Sequence, residues 1–133
     1  MDLRVCVDVS DLEKAITFYR DALGLRPGRR LGEKWAEMLG ASAPLDLLAE
    51  KAGTPPSPRV SAGRDYSRHW TPVHLDFVVD DLDAAVQRAV AAGATVDQEA
   101  AARPFGRIAV LADPFGNGFC LLEMRGRGYD EML

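Results

Sequence analysis

The sequence predicts an α+β fold built from two tandem β-α-β-β-β modules. Three observations lead to this prediction: an internal repeat, a capped helix after the first strand of each repeat, and short strands separated by turn-forming residues after each helix. The chain has 133 residues, of which 47% are hydrophobic, and a formal net charge of −4. This length is typical of one domain with its own core, so we expect a single domain over residues 1–133.

The repeat is visible when residues 3–22 are aligned without gaps on residues 73–92. Both copies begin with a strand rich in Val, Leu and Phe, predicted at residues 3–9 and 73–79. Identical residues stand at the paired positions Val9/Val79, Asp11/Asp81, Leu12/Leu82, Ala15/Ala85 and Ala22/Ala92. The repeat predicts module 1 over about residues 3–51 and module 2 over about residues 73–124.

A helix follows the first strand of each module. Ser10 and Asp80 are the predicted N-caps, each with an acidic residue three positions later. Apolar residues then recur at helical spacing, and Gly24 and Gly93 stand where a helix favours a left-handed C-cap. The pattern is typical of one amphipathic helix per module.

Three further strands complete each module. They are predicted at residues 26–31, 35–39 and 44–49 in module 1, and at residues 95–100, 107–112 and 118–123 in module 2. Residues 113–117, Asp-Pro-Phe-Gly-Asn, form a turn between the last two strands. Residues 52–72 contain four prolines and are predicted as a linker that is long enough to cover a site as a flap. Residues 125–133 form a C-terminal tail.

The composition excludes several classes of function. A pI of about 5.1 gives no basic surface for nucleic acid. No segment reaches the roughly 18 consecutive apolar residues of a membrane span, and charges at positions 2, 4 and 8 do not fit a signal peptide. Cys6 and Cys120 stand far apart without a second His/Cys cluster, so no structural zinc site is expected. We expect a cytoplasmic protein with free thiols that binds neither nucleic acid nor membranes.

The doubled module resembles the vicinal oxygen chelate superfamily. The matching motifs are D-L-x-x-A after each first strand, F-Y-x-x-x-L-G-L at residues 18–25 and D-P-x-G-N at residues 113–117. This superfamily includes glyoxalase I, bleomycin- and fosfomycin-resistance proteins, extradiol dioxygenases and methylmalonyl-CoA epimerase, and the chain is most similar to its glyoxalase-like branch. The resemblance implies a cup-shaped mixed β-sheet with the helices outside, a small-molecule ligand in the cup, and a homodimer.

In the metal-dependent members, the resemblance implies four ligand positions, one in each first strand and one in each last strand. These positions fall on Arg4, Asp46, His74 and Cys120. Arg4 departs from the pattern because a guanidinium stays protonated and repels a cation. We therefore expect no metal and no other cofactor; the alternative is a divalent metal held by His74, Asp46 and Cys120. With one histidine in register, a non-haem iron dioxygenase is the less favoured enzyme.

Strand alternation indicates which side chains share a face with these positions. Cys6 and Asp8 share a face with Arg4, and Asp76 shares a face with His74. The candidate catalytic residues are His74 as acid or base, Asp46 and Asp76; the candidate substrate-binding residues are Arg4, Cys6, Asp8, Trp70 and Cys120.

Each candidate also has a purely structural interpretation. His74 could be a hydrogen-bonded structural histidine, and Arg4 could form an internal ion pair with Asp8, Asp46 or Asp76. The two cysteines could be small apolar fillers, and Trp70 could pack the junction of the modules.

Two functions stay open at this point. The first is an enzyme that acts on a small oxygenated molecule by lyase, isomerase or proton-transfer chemistry. The second is a non-catalytic protein that binds a small molecule or sequesters an antibiotic, as bleomycin-resistance proteins do. Trp35, Trp70 and Phe105 are possible stacking surfaces for such a ligand.

Overall fold

A computed structural model describes all residues, 1–133, and divides the chain into two units, Met1–Ser67 and Arg68–Leu133. Each unit contains one helix and one four-stranded mixed sheet, so the predicted α+β fold of two β-α-β-β-β modules is confirmed. The boundary between the units lies inside the predicted linker. None of the helices combines the length and the apolar character that a membrane span requires.

Module 1 follows the predicted order. Its elements are β1 (Val5–Val9), α1 (Leu12–Leu23), β2 (Arg26–Leu31), β3 (Trp35–Leu39) and β4 (Leu45–Ala49). The strand order across the sheet is β1-β4-β3-β2, with β1 parallel to β4 and the other pairs antiparallel. The parallel pair is possible because α1 and two strands lie between β1 and β4 in the chain.

Module 2 repeats this topology. Its elements are β5 (Leu75–Val78), α2 (Leu82–Ala91), β6 (Thr95–Arg103), β7 (Gly106–Ala112) and β8 (Gly118–Met124). The order across the sheet is β5-β8-β7-β6, again with the first and last strands parallel. A short 3₁₀ helix, Gly128–Met132, lies in the predicted C-terminal tail.

The two helices begin one residue later than the sequence predicted. Their N-cap residues are Asp11 and Asp81, not Ser10 and Asp80. Each of these carboxylates accepts a hydrogen bond of 3.0 Å from the backbone N–H three residues further on. An aspartate here pairs an otherwise unpaired helix donor and complements the positive end of the helix dipole, which explains the position of the cap.

The helix ends differ between the modules. Gly24 caps α1 in the left-handed conformation with φ of 68°, as predicted. In module 2 the C-cap is Ala92 in the right-handed conformation, so the prediction of Gly93 as the cap is wrong. Gly93 follows directly with φ of 115°, a backbone conformation that still favours glycine.

One face of each sheet packs against its helix and forms the core. In module 1, Val9, Met38 and Leu47 are fully buried on this face, and Phe18 of α1 is buried with them. In module 2 the equivalent face carries Phe77 and Phe119, whose rings meet edge to face with centroids 6.0 Å apart, together with Ala109, Leu111 and Leu121. Because side chains alternate along a strand, the opposite face of each sheet carries the polar residues.

The predicted linker is divided between the two modules. Gly53 and Thr54 pair with Arg64 through backbone hydrogen bonds of 2.8 Å, which closes residues 53–64 into a loop on module 1. The Tyr66 hydroxyl lies 3.0 Å from the Val9 carbonyl oxygen and 2.6 Å from that of Glu50. Residues 52–66 therefore belong to module 1: residues 53–64 form a closed loop, and Tyr66 holds the end of the segment on Val9 and Glu50.

Candidate functional site

The strand registers show which positions of the two modules are equivalent. In module 1, Cys6 on β1 stands opposite Asp46 on β4. In module 2, Asp76 on β5 stands opposite Cys120 on β8. The predicted correspondence of Asp46 with Cys120 is therefore confirmed. The two modules carry the same pair of residue types, a cysteine and an aspartate, on exchanged strands.

Arg4 is held by two buried acids of module 1. Its Nε donates to Asp46 Oδ2 at 3.0 Å, and its Nη2 donates to Asp46 Oδ1 and to Glu37 Oε2, both at 2.6 Å. Arg29 adds a second guanidinium on Glu37, with Nη2 2.6 Å from Oε2. These donors, Arg29 first, lower the pKa of Glu37 to about 2.

This network shows which acids pair with Arg4. Of the three acids considered as partners of Arg4, the structure selects Asp46 and adds Glu37, which the sequence analysis did not single out. Asp46 and Glu37 are only 7% and 3% exposed, so the bidentate pair neutralises charges that would otherwise be costly to bury. Both carboxylate oxygens of Asp46 are occupied by Arg4.

Asp8 and Cys6 have different surroundings from those expected. The Asp8 carboxylate pairs with Arg64, not with Arg4, and Arg64 also donates to Thr54 Oγ1 and the Pro55 carbonyl oxygen. Cys6 is exposed, so the prediction that it is a buried filler is wrong. Partial desolvation, followed by the charges of Asp8 and Asp46, raises the pKa of its thiol, which makes it a weak nucleophile.

His74, Asp76 and Cys120 of module 2 form a cluster that we name the triad. One ligand atom of each residue lies within 4.8 Å of the others. His74 Nε2 is 3.3 Å from Asp76 Oδ1, and Nδ1 is 3.2 Å from the Trp70 carbonyl oxygen. A neutral imidazole has one N–H and can donate to only one of these two acceptors. The side chains of His74 and Asp76 are 41% and 43% exposed, so the triad is open to solvent.

Cys120 is the buried member of the triad. Desolvation, the Asp76 charge and a hydrogen bond to Asp76 raise the pKa of its thiol to about 11. The thiol therefore stays protonated at neutral pH in the metal-free protein. The prediction of Cys120 as a small buried residue is confirmed.

Trp70 lies beside the triad in module 2. Its indole covers Gly118 so closely that a Cβ at position 118 would lie 2.3 Å from Cδ1 and Nε1. Backbone hydrogen bonds from His69 to Gly116 and from Gly118 to His69 fix this segment on the start of β8. The indole Nε1 is buried without an acceptor. A buried N–H without a partner is unusual in a native protein.

Two further features lie away from the triad. Phe105, a possible stacking surface, packs against Tyr129 with ring centroids 5.0 Å apart. A groove lies where β5 meets the start of α2 and is lined by Val78, Val79, Asp80, Asp81, Ala84, Ala85 and Arg88. None of the predicted site residues lines this groove.

Within each module the structure brings some of the candidates together. Module 1 holds the Arg4–Asp46 network and the Asp8–Arg64 pair, and module 2 holds the triad with Trp70. A metal could be held by the triad. The ligand positions that the superfamily implies include His74 and Cys120 but not Asp76.

Comparisons with known proteins agree with this fold. A family model described as "Glyoxalase-like domain" matches residues 4–122. The anthracycline biosynthesis protein DauV from Streptomyces sp. (strain C5) is 38% identical over 117 residues, which cover 86% of this chain and 38% of that protein. The chain therefore spans less than half of this curated relative.

Solved structures share the fold at low sequence identity. A glyoxalase/bleomycin resistance protein/dioxygenase family enzyme from Burkholderia phytofirmans PsJN aligns with a TM-score of 0.71 and 21% identity, covering 94% of this chain and all of that one. Lactoylglutathione lyase from Agrobacterium tumefaciens aligns with a TM-score of 0.64 and 22% identity, covering 92% of each chain.

Proposed function

The chain belongs to the glyoxalase-like domain family of the vicinal oxygen chelate superfamily, and from this membership we propose that it acts on a small oxygenated molecule by lyase- or isomerase-type chemistry. The proposed reaction centre is the triad of His74, Asp76 and Cys120. A fold of this kind supports many reactions, so the reaction depends on the residues of the site.

The observation that carries the proposal is the composition and exposure of the triad. Imidazole, carboxylate and thiol lie within 4.8 Å of one another, with His74 and Asp76 exposed and Cys120 buried. His74 and Asp76 are partly exposed, and their contacts within the protein leave acceptor capacity free. In module 1, by contrast, both oxygens of Asp46 are engaged by Arg4.

These groups suit chemistry next to a carbonyl or hydroxyl group. With the His74 Nδ1–H donated to the Trp70 carbonyl oxygen, the Nε2 lone pair can accept the proton of a ligand hydroxyl or of a carbon next to a carbonyl group, and Asp76 can serve as a second base. The Trp70 backbone orients the imidazole through Nδ1. Cys120 is a poor candidate for covalent catalysis, because its raised pKa leaves it as a thiol.

The test uses the only two histidines of the chain as a matched pair. His74→Gln removes the proposed acid or base, and His69→Gln is the control. The probes are S-lactoylglutathione, chosen because a lactoylglutathione lyase shares the fold, and an anthracycline, chosen for the relative DauV. The measurement is exchange of carbon-bound protons of each probe in D₂O by NMR, with chelator present.

We expect exchange of at least one probe with the wild-type protein, a loss of about 100-fold or more in His74→Gln, and no loss in His69→Gln. Equal exchange in the wild type and His74→Gln would contradict the proposed role of the triad. Binding without exchange, seen as a rise in melting temperature, would instead support the second candidate, a binding protein that sequesters its ligand. The Trp70 indole, which lies against Gly118 two residues before Cys120, favours that alternative for a planar aromatic ligand such as an anthracycline.

A further inference from the structure

Besides the exchange of cysteine and aspartate, the equivalent positions of the two modules differ in the presence of a fixed positive charge. In module 1, Asp46 and Glu37 are neutralised by the guanidinium groups of Arg4 and Arg29. In module 2, the residue at the position of Arg4 is His74, and no arginine or lysine contacts Asp76. The carboxylate of module 2 therefore lacks the permanent cation that its counterpart has.

The atoms around Asp76 are those that bind a thiophilic metal. An imidazole nitrogen, a carboxylate oxygen and a sulfur, each from a different side chain, lie within 4.8 Å of one another. Catalytic zinc sites use three protein ligands of these types and leave a fourth position open. A neutral imidazole, a carboxylate and a thiolate together carry two negative charges, which balance a divalent cation.

The metal positions implied by the superfamily fit a cation in module 2 and do not fit one in module 1. In module 1, Arg4 stands at one of the two ligand positions. Its guanidinium donates to both carboxylate oxygens of Asp46, which stands at the other position. The expectation of a metal-free protein relied on the repulsion between Arg4 and a cation. In the structure the charge of Arg4 is balanced by two acids of its own module, and Asp76 supplies a third donor that had not been counted.

We propose that His74, Asp76 and Cys120 form a three-ligand site, contained within module 2, for a thiophilic divalent cation such as zinc or cobalt. The site differs from the four-ligand arrangement implied by the superfamily, because all its protein ligands come from one module and one of them is Asp76. The fourth position is open to an oxygen of the ligand; this last point rests on the proposed function, whereas cation binding does not.

Binding involves no redox step. A lone pair of the imidazole and one of the carboxylate fill two positions, and the Cys120 sulfur fills the third after its proton has passed to the buffer. When bound, such a cation acts as a Lewis acid that polarises a carbonyl oxygen. Because thiolate ligands favour soft metals, the site should select zinc and cobalt over magnesium.

The experiment uses untagged full-length chain, treated with chelator, dialysed and titrated with cobalt(II) chloride. A thiolate-to-cobalt charge-transfer absorption is expected, saturating at one cobalt per chain. Cys120→Ser should abolish this absorption, and Cys6→Ser should retain it. Cys6 is a suitable control because it also stands opposite an aspartate, in the equivalent cross-strand pair of module 1, but that aspartate is bound by Arg4.

Three further measurements keep the test decisive if Cys120→Ser fails to fold. Asp76→Asn, at an exposed residue, should retain the absorption but weaken cobalt affinity about tenfold or more. Zinc chloride should displace cobalt at equimolar concentration, whereas the same concentration of magnesium chloride should not. Circular dichroism and thermal melting of each variant report whether it is folded.

The proposal is overturned if the wild-type chain gives no charge-transfer absorption, if Cys120→Ser gives the same absorption, or if Asp76→Asn binds cobalt with unchanged affinity. These results are independent of turnover. Proton exchange that survives the chelator while cobalt fails to bind would leave the proposed function in place and remove the metal site. Cobalt binding without any proton exchange would support the metal site and contradict the proposed function.

Discussion

Gly118 is the position at which a single added methyl group tests the placement of Trp70. An ideal Cβ there would lie 2.3 Å from Cδ1 and Nε1 of the indole and 2.5 Å from the His69 carbonyl oxygen. Gly118 has no unusual backbone conformation, since its φ is not positive, so Gly118→Ala changes contacts without introducing backbone strain. The indole has to leave its place on β8 to make room.

The size of the effect follows from the contact. Overpacking of this kind costs about 1–3 kcal/mol of the free energy of unfolding. The unfolding entropy of a chain of 133 residues is about 0.28 kcal/mol/K if it unfolds in one transition. The melting temperature of Gly118→Ala should therefore fall by about 4–11 °C. Displacement of Trp70 should also disturb His74, because the Trp70 carbonyl oxygen lies 3.2 Å from Nδ1.

A double-mutant cycle separates this clash from a general loss of packing. The variants are Gly118→Ala, Trp70→Ala and the double mutant, each measured by thermal and urea unfolding followed by circular dichroism. The double mutant should be more stable than the sum of the single effects predicts, by about 1 kcal/mol. Strictly additive effects, or an unchanged melting temperature for Gly118→Ala, would refute the inferred packing of Trp70 on Gly118.

Three further changes test the fold and the Arg4 network. Glu37 has a pKa lowered from 4.5 to about 2 in the folded chain, so its contribution to stability is complete above pH 4.5 and is lost as the pH falls towards 2; urea unfolding across this range should show a slope that Glu37→Gln removes. Leu47→Ala should lower the free energy of unfolding by about 2–5 kcal/mol, and Leu48→Ala, on the opposite face of β4, by clearly less. Asp81→Ala should cost about 0.5–2 kcal/mol by urea unfolding, whereas Asp80→Ala should cost less than about 0.5 kcal/mol.

The fold could be predicted from the sequence because its signals are local and repeated. The strand at residues 35–39 matches β3 to the residue, and the predicted strand at 118–123 differs from β8 by one residue at its end. The predicted N-caps, Ser10 and Asp80, lie one residue before the N-caps of the structure. By residue type alone they are as suitable for capping as Asp11 and Asp81. Only the extended backbone of the true cap distinguishes them.

Only part of the site could be predicted. Contacts within one strand follow from the sequence pattern, whereas contacts between distant segments depend on how the chain folds. Alternation along β5 placed Asp76 beside His74, since both belong to one strand segment. Glu37 was missed because its contact with Arg4 depends on β3 lying next to β4, an order that no local pattern specifies. Arg64 was missed for a similar reason, since it reaches Asp8 only through the closure of the loop at residues 53–64.

Glu123 shows how a tertiary contact overrides a positional argument. Its place at the end of a strand, out of phase with Cys120, predicts a surface residue. In the structure its side chain is 14% exposed, and Oε2 accepts a hydrogen bond of 2.9 Å from the backbone N–H of Leu82. This hydrogen bond, first among its causes, lowers the pKa of Glu123. Glu123 and Asp81 therefore each accept a hydrogen bond from a backbone N–H in the first turn of α2, Glu123 from Leu82 and Asp81 from Ala84.

The exchange of cysteine and aspartate between the modules explains why the two halves of one repeat differ in chemistry. In module 1 the aspartate stands on β4, next to β3, where Glu37 adds a second acid and Arg4 and Arg29 neutralise both. In module 2 the aspartate stands on β5, at the edge of the sheet, where Cys120 is its only cross-strand neighbour. An acid on an edge strand stays accessible to solvent and needs no fixed countercharge, whereas an acid inside the sheet does. The same fold therefore holds a closed ion-pair network in one module and an open triad in the other.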